Sequence, residues 1–460
     1  MKKFYLCLII FWGLYFNIFS QTDTPTPFVS PTLTYTPTCE PTETGCVFRD
    51  SNFNGKGYFV FDSGMNDSGS SITIDSNGKI LVTGNIGDDM AVWRINQNGT
   101  LDTTFNNTGY FTHNGAAGGN GDDSGTDIII DNNNKILIAG YSQDSSGNTN
   151  VAVWRLNSDG SLDTSFNGIG YVTISNTAGG SGNDFAYSIV LDNNKILVTG
   201  KSESSAGDYS ICVWRLNQDG SFDTSFNGTG AFVFDTGIAP GGSATDVILD
   251  DNNKIVVAGF GWVGSDYDMF VLRINPDGTL DTSFNGTGYV SHNNAAGGSN
   301  HDYGHEVIID NSGKILITGE SASPFDDDVV LWRLNQDGSF DTTFNGTGYT
   351  SFDNPSTTYT LENGNSLLIN NRGDIIVAGE GGGEGIGYSD LSIWRFESNG
   401  TIDTNFNTTG VITHNNAAGG DGYDFGTKCV LYPPNKIFVT GMSLSLIHIS
   451  EPTRPLYISY

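Results

Sequence analysis

Basic residues and cysteines are scarce in this sequence of 460 residues. Twenty lysines and arginines stand against 51 aspartates and glutamates, which gives a formal net charge of −31. A surface of this charge repels nucleic-acid phosphates and anionic membranes, so we expect neither as a partner. Of the five cysteines, Cys39 and Cys46 are close enough in sequence to form a disulfide in an oxidising compartment. Cys212 and Cys429 lie in apolar runs and are predicted to be buried thiols.

Long hydrophobic runs are missing except near the N-terminus. Residues 4–19 are mostly apolar, follow two lysines and precede a small residue, Ser20. This pattern is typical of a secretory signal peptide, which we place at residues 1–20. A retained membrane anchor is the alternative, but the run is short and contains a glycine and an asparagine. The sequence therefore predicts a secreted or cell-surface protein with no membrane insertion after signal removal.

Two further segments lie outside the predicted fold. Residues 21–45 alternate threonine and proline, which favours an extended stalk. Residues 442–460 resemble the translation of a sequencing adapter, so we expect a non-biological, adapter-derived tail there and exclude it from the fold prediction. The segment between them, residues 46–441, is repetitive.

A repeat of about 60 residues occupies this segment. Its most constant part reads RLNSDGSLDTSFNGIGY at residues 155–171, and its arginine recurs at intervals of 58 to 62 residues. Each repeat contains four short strand-like runs bounded by Gly, Asn or Asp. The third run is almost continuously apolar, as expected for a strand covered on both faces; examples are residues 136–139, 196–199, 255–258 and 315–318.

These repeats predict an all-β protein, a β-propeller of four-stranded antiparallel blades. We expect about seven blades with the last one incomplete, its fourth strand being either absent or supplied by residues 46–49. A tandem of separate β-sandwiches is the alternative. It is disfavoured because about sixty residues with four strands rarely bury enough surface to fold alone.

The repeat also resembles the delta-60 repeat. The resemblance rests on VWRLNSDGSLDTSFNGIGY at residues 153–171 followed by LDNNKILVTG at residues 191–200, and it extends from about residue 47 to residue 441. It implies a bacterial, extracellular β-propeller with a surface location, and it implies no reaction.

The repeated turn pairs an arginine with an aspartate eight residues later. A partly buried ion pair of this kind would fix the geometry between strand and turn, so we interpret it as structural. The predicted pairs are Arg94 with Asp102, Arg155 with Asp163, Arg215 with Asp223, Arg273 with Asp281, Arg333 with Asp341 and Arg395 with Asp403.

Function is expected in the loops on the other face, which vary in length and are acidic. An acidic ring there could gather calcium or a cationic partner; capping of backbone amides by the same side chains is the simpler alternative. The binding candidates are Asp67, Asp89, Asp123, Asp184, Asp268, Asp302, Asp328, Asp390 and Asp424, with Glu362 at an equivalent position.

Histidines offer a weaker case for a metal site. His113, His292 and His414 share a slot that is apolar in other repeats, which indicates packing. His301 and His305 could share a metal with Asp302 or Glu306, but their four-residue spacing falls on a loop entering a strand. We therefore predict no metal site and no cofactor, calcium on the acidic face excepted.

The sequence predicts a binding module that is not an enzyme. No GxSxG, Walker or paired-cysteine motif is present, and the residues found in one repeat only, Lys201, Trp262, His301, Arg372 and Glu384, form no recognisable catalytic pattern. We expect a monomer that binds an extracellular glycan, protein or cation. The alternative is a glycan-cleaving hydrolase or lyase, which two carboxylates facing each other in a central pocket would favour.

Overall fold

The computed structural model describes residues 2–13, 47–50, 52–234, 241–298, 300–323, 326–353, 361–382, 389–415, 417, 423–432 and 436–446. The predicted stalk, the pair Cys39 and Cys46, and residues 447–460 of the predicted tail lie outside them. The chain forms a seven-bladed β-propeller of four-stranded antiparallel sheets, so the predicted fold is confirmed. No helix among the described residues has the length and apolar character needed to span a membrane.

Six blades are continuous in sequence and each contains four strands. The strands of blades one to three are β4 Asp67–Ile74, β5 Ile80–Ile86, β6 Asp89–Ile95, β7 Tyr110–His113, β8 Gly118–Ile130, β9 Ile136–Asp144, β10 Thr149–Leu156, β11 Tyr171–Ile174, β12 Gly179–Asp192, β13 Lys195–Ser204, β14 Tyr209–Asn217 and β15 Ala231–Phe234. The strands of blades four to six are β16 Ser243–Leu249, β17 Ile255–Val263, β18 Asp266–Ile274, β19 Tyr289–His292, β20 Asp302–Ile309, β21 Ile315–Ala322, β22 Asp327–Leu334, β23 Tyr349–Phe352, β24 Asn363–Ile369, β25 Ile375–Gly382, β26 Ser389–Phe396 and β27 Val411–His414.

The seventh blade joins both ends of the chain. It contains β28 Asp424–Tyr432, β29 Lys436–Leu446, β1 Lys2–Gly13 and β3 Tyr58–Phe61, and the short β2 Val47–Arg49 pairs with the end of β1. Residues of the predicted signal peptide therefore form the third strand of this blade, and β3 forms the fourth. The expectation that the last blade is incomplete, with its fourth strand absent or supplied by residues 46–49, is wrong. β29 extends into the predicted tail as far as Leu446.

The first strand of each blade is the inner one. Inner strands of neighbouring blades contact one another in an unbroken ring, from β4 through β8, β12, β16, β20 and β24 to β28 and back to β4. Thr427 on β28 donates a hydrogen bond of 2.8 Å to the carbonyl of Gly69 on β4, which links the last blade to the first.

Blades and sequence repeats are offset by one strand. The run at residues 171–174 precedes the other three runs of its repeat, yet it forms β11, the outer strand that pairs with β10 of the blade before it. Each repeat therefore contributes one strand to the preceding blade. The offset leaves the two faces unchanged: hairpin turns such as residues 131–135 and the repeated turn occupy the turn face, and the variable loops occupy the loop face.

Second strands are buried on both sides, as the apolar third run of each repeat predicts. Residues 80–84 and 136–140 are buried without interruption, and large side chains such as Trp93, Trp154 and Trp214 fill the spaces between blades. A glycine in each second strand lies opposite a bulge in the inner strand. At Gly140 a Cβ atom would come within 1.9 Å of the carbonyl oxygen of Ser124, so the close approach of the two strands requires glycine.

Candidate functional site

The repeated turn on the turn face holds neighbouring blades together. Arg155 Nε lies 2.9 Å from Asp163 Oδ2, and the same guanidinium donates to the carbonyl of Gln218 in the next blade. Its Cζ atom lies 4.7 Å from the ring centre of Phe166. The other five predicted pairs, Arg94 with Asp102, Arg215 with Asp223, Arg273 with Asp281, Arg333 with Asp341 and Arg395 with Asp403, have separations of 2.6 to 2.9 Å.

A lysine at the start of the second strand completes five of these six turns, and Asp374 takes its position in blade six. Lys79 Nζ lies 3.1 Å from the Asp102 carboxylate. Burial alone would raise the pKa of Asp102, but hydrogen bonds from Thr104 and Lys79 and the charge of Arg94 lower it to about 2. In blade seven, Lys436 contacts Asp50 at 2.7 Å, while Ile10 occupies the register position of the arginine. The turn face is thus occupied by contacts between blades.

Five of the nine aspartate candidates, and Glu362, lie where the loops enter the inner strands. Asp67 and Asp184 accept backbone hydrogen bonds of 2.7 and 2.9 Å from Ser63 and Asn176. Asp123 and Asp302 accept equivalent bonds, and these side chains, together with Asp424, are at most 3% exposed. Their hydrogen bonds are those of loop capping.

The remaining candidates lie within the first three residues of the third strands, beside the capping residue of the next blade. Asp89 accepts from the side chain of Asn114 at 2.5 Å. Burial, with the nearby charges of Asp266 and Asp302, raises the pKa of Asp268 to about 6. Asp328 and Asp390 are buried at the corresponding positions. Carboxylates of adjacent blades therefore face one another in several junctions on the loop face.

The histidines divide into two groups. His113 and His292 accept hydrogen bonds from the indoles of Trp154 and Trp332, at 3.3 and 3.2 Å, and burial lowers the pKa of both histidines. His301 and His305 do not converge: His301 lies on the loop face and His305 lines the central channel.

The central channel contains charged residues that the sequence analysis did not group. A cavity of about 110 Å³ is lined by Asp127, Asp246, Glu306 and Lys428, among others. Asp127 and Asp246 each accept a backbone N–H from the next blade, at 2.9 Å, and Ser188 contacts both carboxylates. Glu306 binds Lys428 at 2.5 Å and a backbone N–H of blade six. These groups are engaged in linking blades, so we assign them to the scaffold.

A cluster of unlike residues lies at the loop-face end of blades four and five. The cluster is built around the residues that follow the second-strand glycines. Each of these residues pairs with a residue at the start of the inner strand: Phe260 pairs with Ser243, and Glu320 pairs with Tyr303. We call this set the loop-face cluster, and its members are Phe260, Trp262, Tyr267, His301, Tyr303 and Glu320.

Aromatic rings form one side of the loop-face cluster. The ring of Tyr303 lies 4.5 Å from that of Phe260 and 4.6 Å from that of His301, on which it stacks. Trp262 lies 5.1 Å from Tyr267 and is 41% exposed. An exposed indole supported by packed aromatic rings offers a flat apolar surface to a ligand.

Carboxylates form the other side. His301 Nε2 lies 3.2 Å from Asp327 and 3.9 Å from Glu320. Burial, with the charges of Asp327 and Glu380, raises the pKa of Glu320 to about 8, so this side chain is mostly protonated at neutral pH. Glu380 occupies the equivalent position in blade six, and burial raises its pKa too.

Trp262 and His301 could be singled out in the sequence because each occurs in one repeat only, whereas Glu320 and Tyr303 were not predicted. The sequence feature that could have identified this site is the position after the second-strand glycine, where residues of very different chemical types occur: Asn85, Tyr141, Lys201, Phe260, Glu320, Glu380 and Met442. Lys201 lies 5.0 Å from the ring centre of Phe185 in blade three, and Arg372 pairs with Asp374. Glu384 lies outside the described residues.

Six segments of the chain match a family model described as "Domain of unknown function (DUF5122) beta-propeller". Each match ends at the phenylalanine of the repeated turn; the segments are residues 76–105, 132–166, 191–226, 251–284, 311–344 and 373–406. The six matched segments fit a propeller repeat family. No curated protein sequence matches it.

Solved structures with a similar fold include enzymes. Virginiamycin B lyase from Staphylococcus aureus is 12% identical, with a TM-score of 0.40, and the match covers 83% of this chain and 95% of the lyase. A polysaccharide lyase of family PL25, an ulvan lyase, is 12% identical, with a TM-score of 0.43 and coverage of 74% and 81%. The GH93 α-L-arabinofuranosidase of Fusarium graminearum is 11% identical, with a TM-score of 0.42 and coverage of 72% and 93%. Likeness at this level carries no inference about function.

Proposed function

We propose that the protein is a secreted or cell-surface module that binds carbohydrate at the loop-face cluster. The observation that carries the proposal is Trp262, 41% exposed and supported edge-on by Tyr267 at 5.1 Å. Sugar rings have apolar faces that pack on aromatic side chains, and their hydroxyls need acceptors and donors close by.

Polar groups of both kinds lie next to the aromatic rings. Asp327 offers an anionic acceptor, and Glu320, protonated at neutral pH, offers a donor. His301 lies between these two carboxyl groups and is stacked on Tyr303, which restricts its ring. A sugar on Trp262 would find rigid partners rather than long flexible side chains, and rigid partners reduce the entropy lost on binding.

The charge of the protein selects among carbohydrates. With 51 acidic and 20 basic residues, the chain repels sulfated and uronate-rich polymers. We therefore propose neutral or amino-sugar glycans as ligands.

Affinity electrophoresis tests this proposal with soluble neutral polysaccharides, a chitosan oligosaccharide and a sulfated polysaccharide. The expected result is retardation by one or more of the first two and none by the third. Trp262→Ala should weaken binding at least tenfold, because it removes the stacking surface. Phe222→Ala, which removes an aromatic ring that is 39% exposed and lies in the repeated turn, is the matched control and should bind as the wild type does. Equal binding by both variants would refute the proposal.

A glycan-cleaving activity is the second candidate. It is favoured by the Glu320 carboxyl group, whose pKa of about 8 suits a general acid, and by the two further carboxylates, of Asp327 and Glu380, that act on it electrostatically. Glycoside hydrolysis uses one protonated and one ionised carboxyl group on either side of the bond.

Release of reducing ends from a bound glycan tests the second candidate. An enzyme should lose activity by about 100-fold or more in Glu320→Gln while keeping its affinity for the glycan. Binding without release of new reducing ends in the wild type, across pH 5 to 9, would leave the binding module as the function.

We also propose that the repeat is a delta-60 repeat, that the protein is located outside the cell or on its surface, and that it is a monomer. Size-exclusion chromatography with light scattering, on protein recovered from the culture medium, tests the last two together.

A further inference from the structure

Three carboxylates from three separate segments meet at the junction of blades five and six. Asp328 lies on β22, Asp353 directly follows β23, and Glu362 directly precedes β24. One carboxylate oxygen from each lies within 4.8 Å of the others, and this is the one such group among the residues that the structure describes. The backbone N–H of Glu362 donates to the carbonyl of Asp327 at 2.9 Å, which fixes the two blades relative to each other.

Asp328 supplies an independent sign of a missing partner. Its side chain is 5% exposed, yet Oδ1 accepts no hydrogen bond from any described residue. Asp353, Asp326 and Asp327 add negative charge around it. Oδ1 of Asp328 therefore lies in an acidic junction with no donor among the described residues, and a buried oxygen in this state is costly.

The junction of blades one and two shows how the fold solves the same problem without a ligand. The residue that follows the outer strand of blade one is Asn114, and its amide donates to Asp89, which is equivalent to Asp328. In blade four the corresponding Asn293 donates to Asp266, two residues before the equivalent Asp268. At position 353 the amide is replaced by a carboxylate, which accepts hydrogen bonds but has no N–H to donate. Compared with the junction at Asn114, the junction of blades five and six therefore has one more hydrogen-bond acceptor and one fewer donor.

We propose that Asp328, Asp353 and Glu362 bind a divalent cation of the calcium class. Carboxylate oxygens are the ligands that Ca²⁺ and Mg²⁺ prefer, and three of them from separate segments can surround an ion and leave room for water. The ion would fill the place of the missing donor and join blades five and six. The inference goes beyond carbohydrate binding, because these residues are not members of the loop-face cluster.

Thermal unfolding of the whole protein tests the site with the metal alone as probe. After chelation at pH 7.5, addition of 5 mM CaCl₂ or MgCl₂ should raise the unfolding midpoint of the wild type by about 2 °C or more. Asp353→Asn, which restores the amide of the other junctions, should lose this rise or weaken the cation affinity at least tenfold. Because the Asp353 side chain is exposed, the variant should fold as the wild type does.

Asp62→Asn is the matched control, since Asp62 follows the outer strand of blade seven and is exposed at the equivalent position. It should respond to the cation as the wild type does. No rise with either metal in the wild type, or a full rise in Asp353→Asn, overturns the proposal. Glycan binding by Trp262 variants is a separate readout, so failure of one proposal is distinguishable from failure of the other.

Discussion

Arg155 contacts Asp163 within its own turn and the carbonyl of Gln218 in the next blade. The same side chain therefore stabilises both the turn and the boundary between blades two and three. This double contact explains why the turn is repeated so closely along the chain while the loops on the opposite face differ.

Removal of this arginine should destabilise the fold. Arg155→Ala leaves Asp163 buried without its guanidinium, and we expect a loss of about 3–5 kcal/mol in the free energy of unfolding. Arg372→Ala is the control, because the Arg372 side chain is 54% exposed, and it should change stability by no more than about 0.5 kcal/mol. Urea unfolding measures both. Equal stability of the two variants would contradict a role for the arginine between blades.

Stability should fall as the pH rises from about 4 to 8 in the presence of a chelator. The pKa values of Asp328 and Glu320 are raised to about 7 and 8, so the folded state holds protons that the unfolded chain has already released near pH 4. The stability that these groups contribute is complete below the unfolded pKa and is lost as the pH rises through the folded pKa. Unfolding midpoints between pH 4.5 and 8.5 should therefore decline less in the double variant Asp328→Asn, Glu320→Gln. An identical decline would show that other groups cause it.

The second-strand glycines should not tolerate a side chain. In Gly140→Ala the new Cβ would lie 1.9 Å from the Ser124 carbonyl oxygen, so the two strands must separate, at a cost of about 1–3 kcal/mol or more. Gly168→Asn is a useful comparison: the site has open space and a φ of +78°, which asparagine tolerates. Thermal unfolding should show a lower midpoint for the first variant and little change for the second. A reversed order would refute the packing argument.

The strand β1 and the predicted signal peptide involve the same residues, which gives a direct test. Leu6 and Leu8 pack against Phe59 and Phe438, so a chain that starts at Gln21 loses apolar contacts on which blade seven depends. We expect this shorter chain to unfold at a lower temperature than the full chain. Mass spectrometry of exported protein checks the predicted cleavage after Ser20. An equal midpoint for both chains would show that β1 adds no stability.

Repetition explains how much of the fold could be predicted. A run such as residues 136–139, apolar without alternation, indicates a strand covered on both faces, and its recurrence indicates stacked blades. The partnership of Arg155 with Asp163 was readable because both residues recur together. The offset of one strand between repeat and blade could not be predicted from the sequence, because a run such as residues 171–174 can pair equally well with the run before it or after it in sequence.

The candidate sites depend on contacts between distant residues, which a repeat pattern does not reveal. Tyr303 and Phe260 are 43 positions apart in the sequence, yet their rings lie 4.5 Å apart because adjacent blades bring them together. Asp353 was not predicted because it follows an outer strand, whereas the acidic candidates all lie at the start of an inner or a third strand. Aspartates such as Asp184 were noticed first because they recur, and recurrence is a mark of capping.

The offset of one strand also bears on how such a gene can change in length. The first strand of each repeat is the outer strand of the preceding blade, and the outer strand of its own blade comes from the repeat that follows. Duplication or loss of a whole unit by unequal recombination would therefore restore every strand pairing at the point of exchange. Only the angle between adjacent blades and the ring closure at β1 and β3 would have to change. The number of repeats can therefore differ among related genes while the structure of each blade is kept.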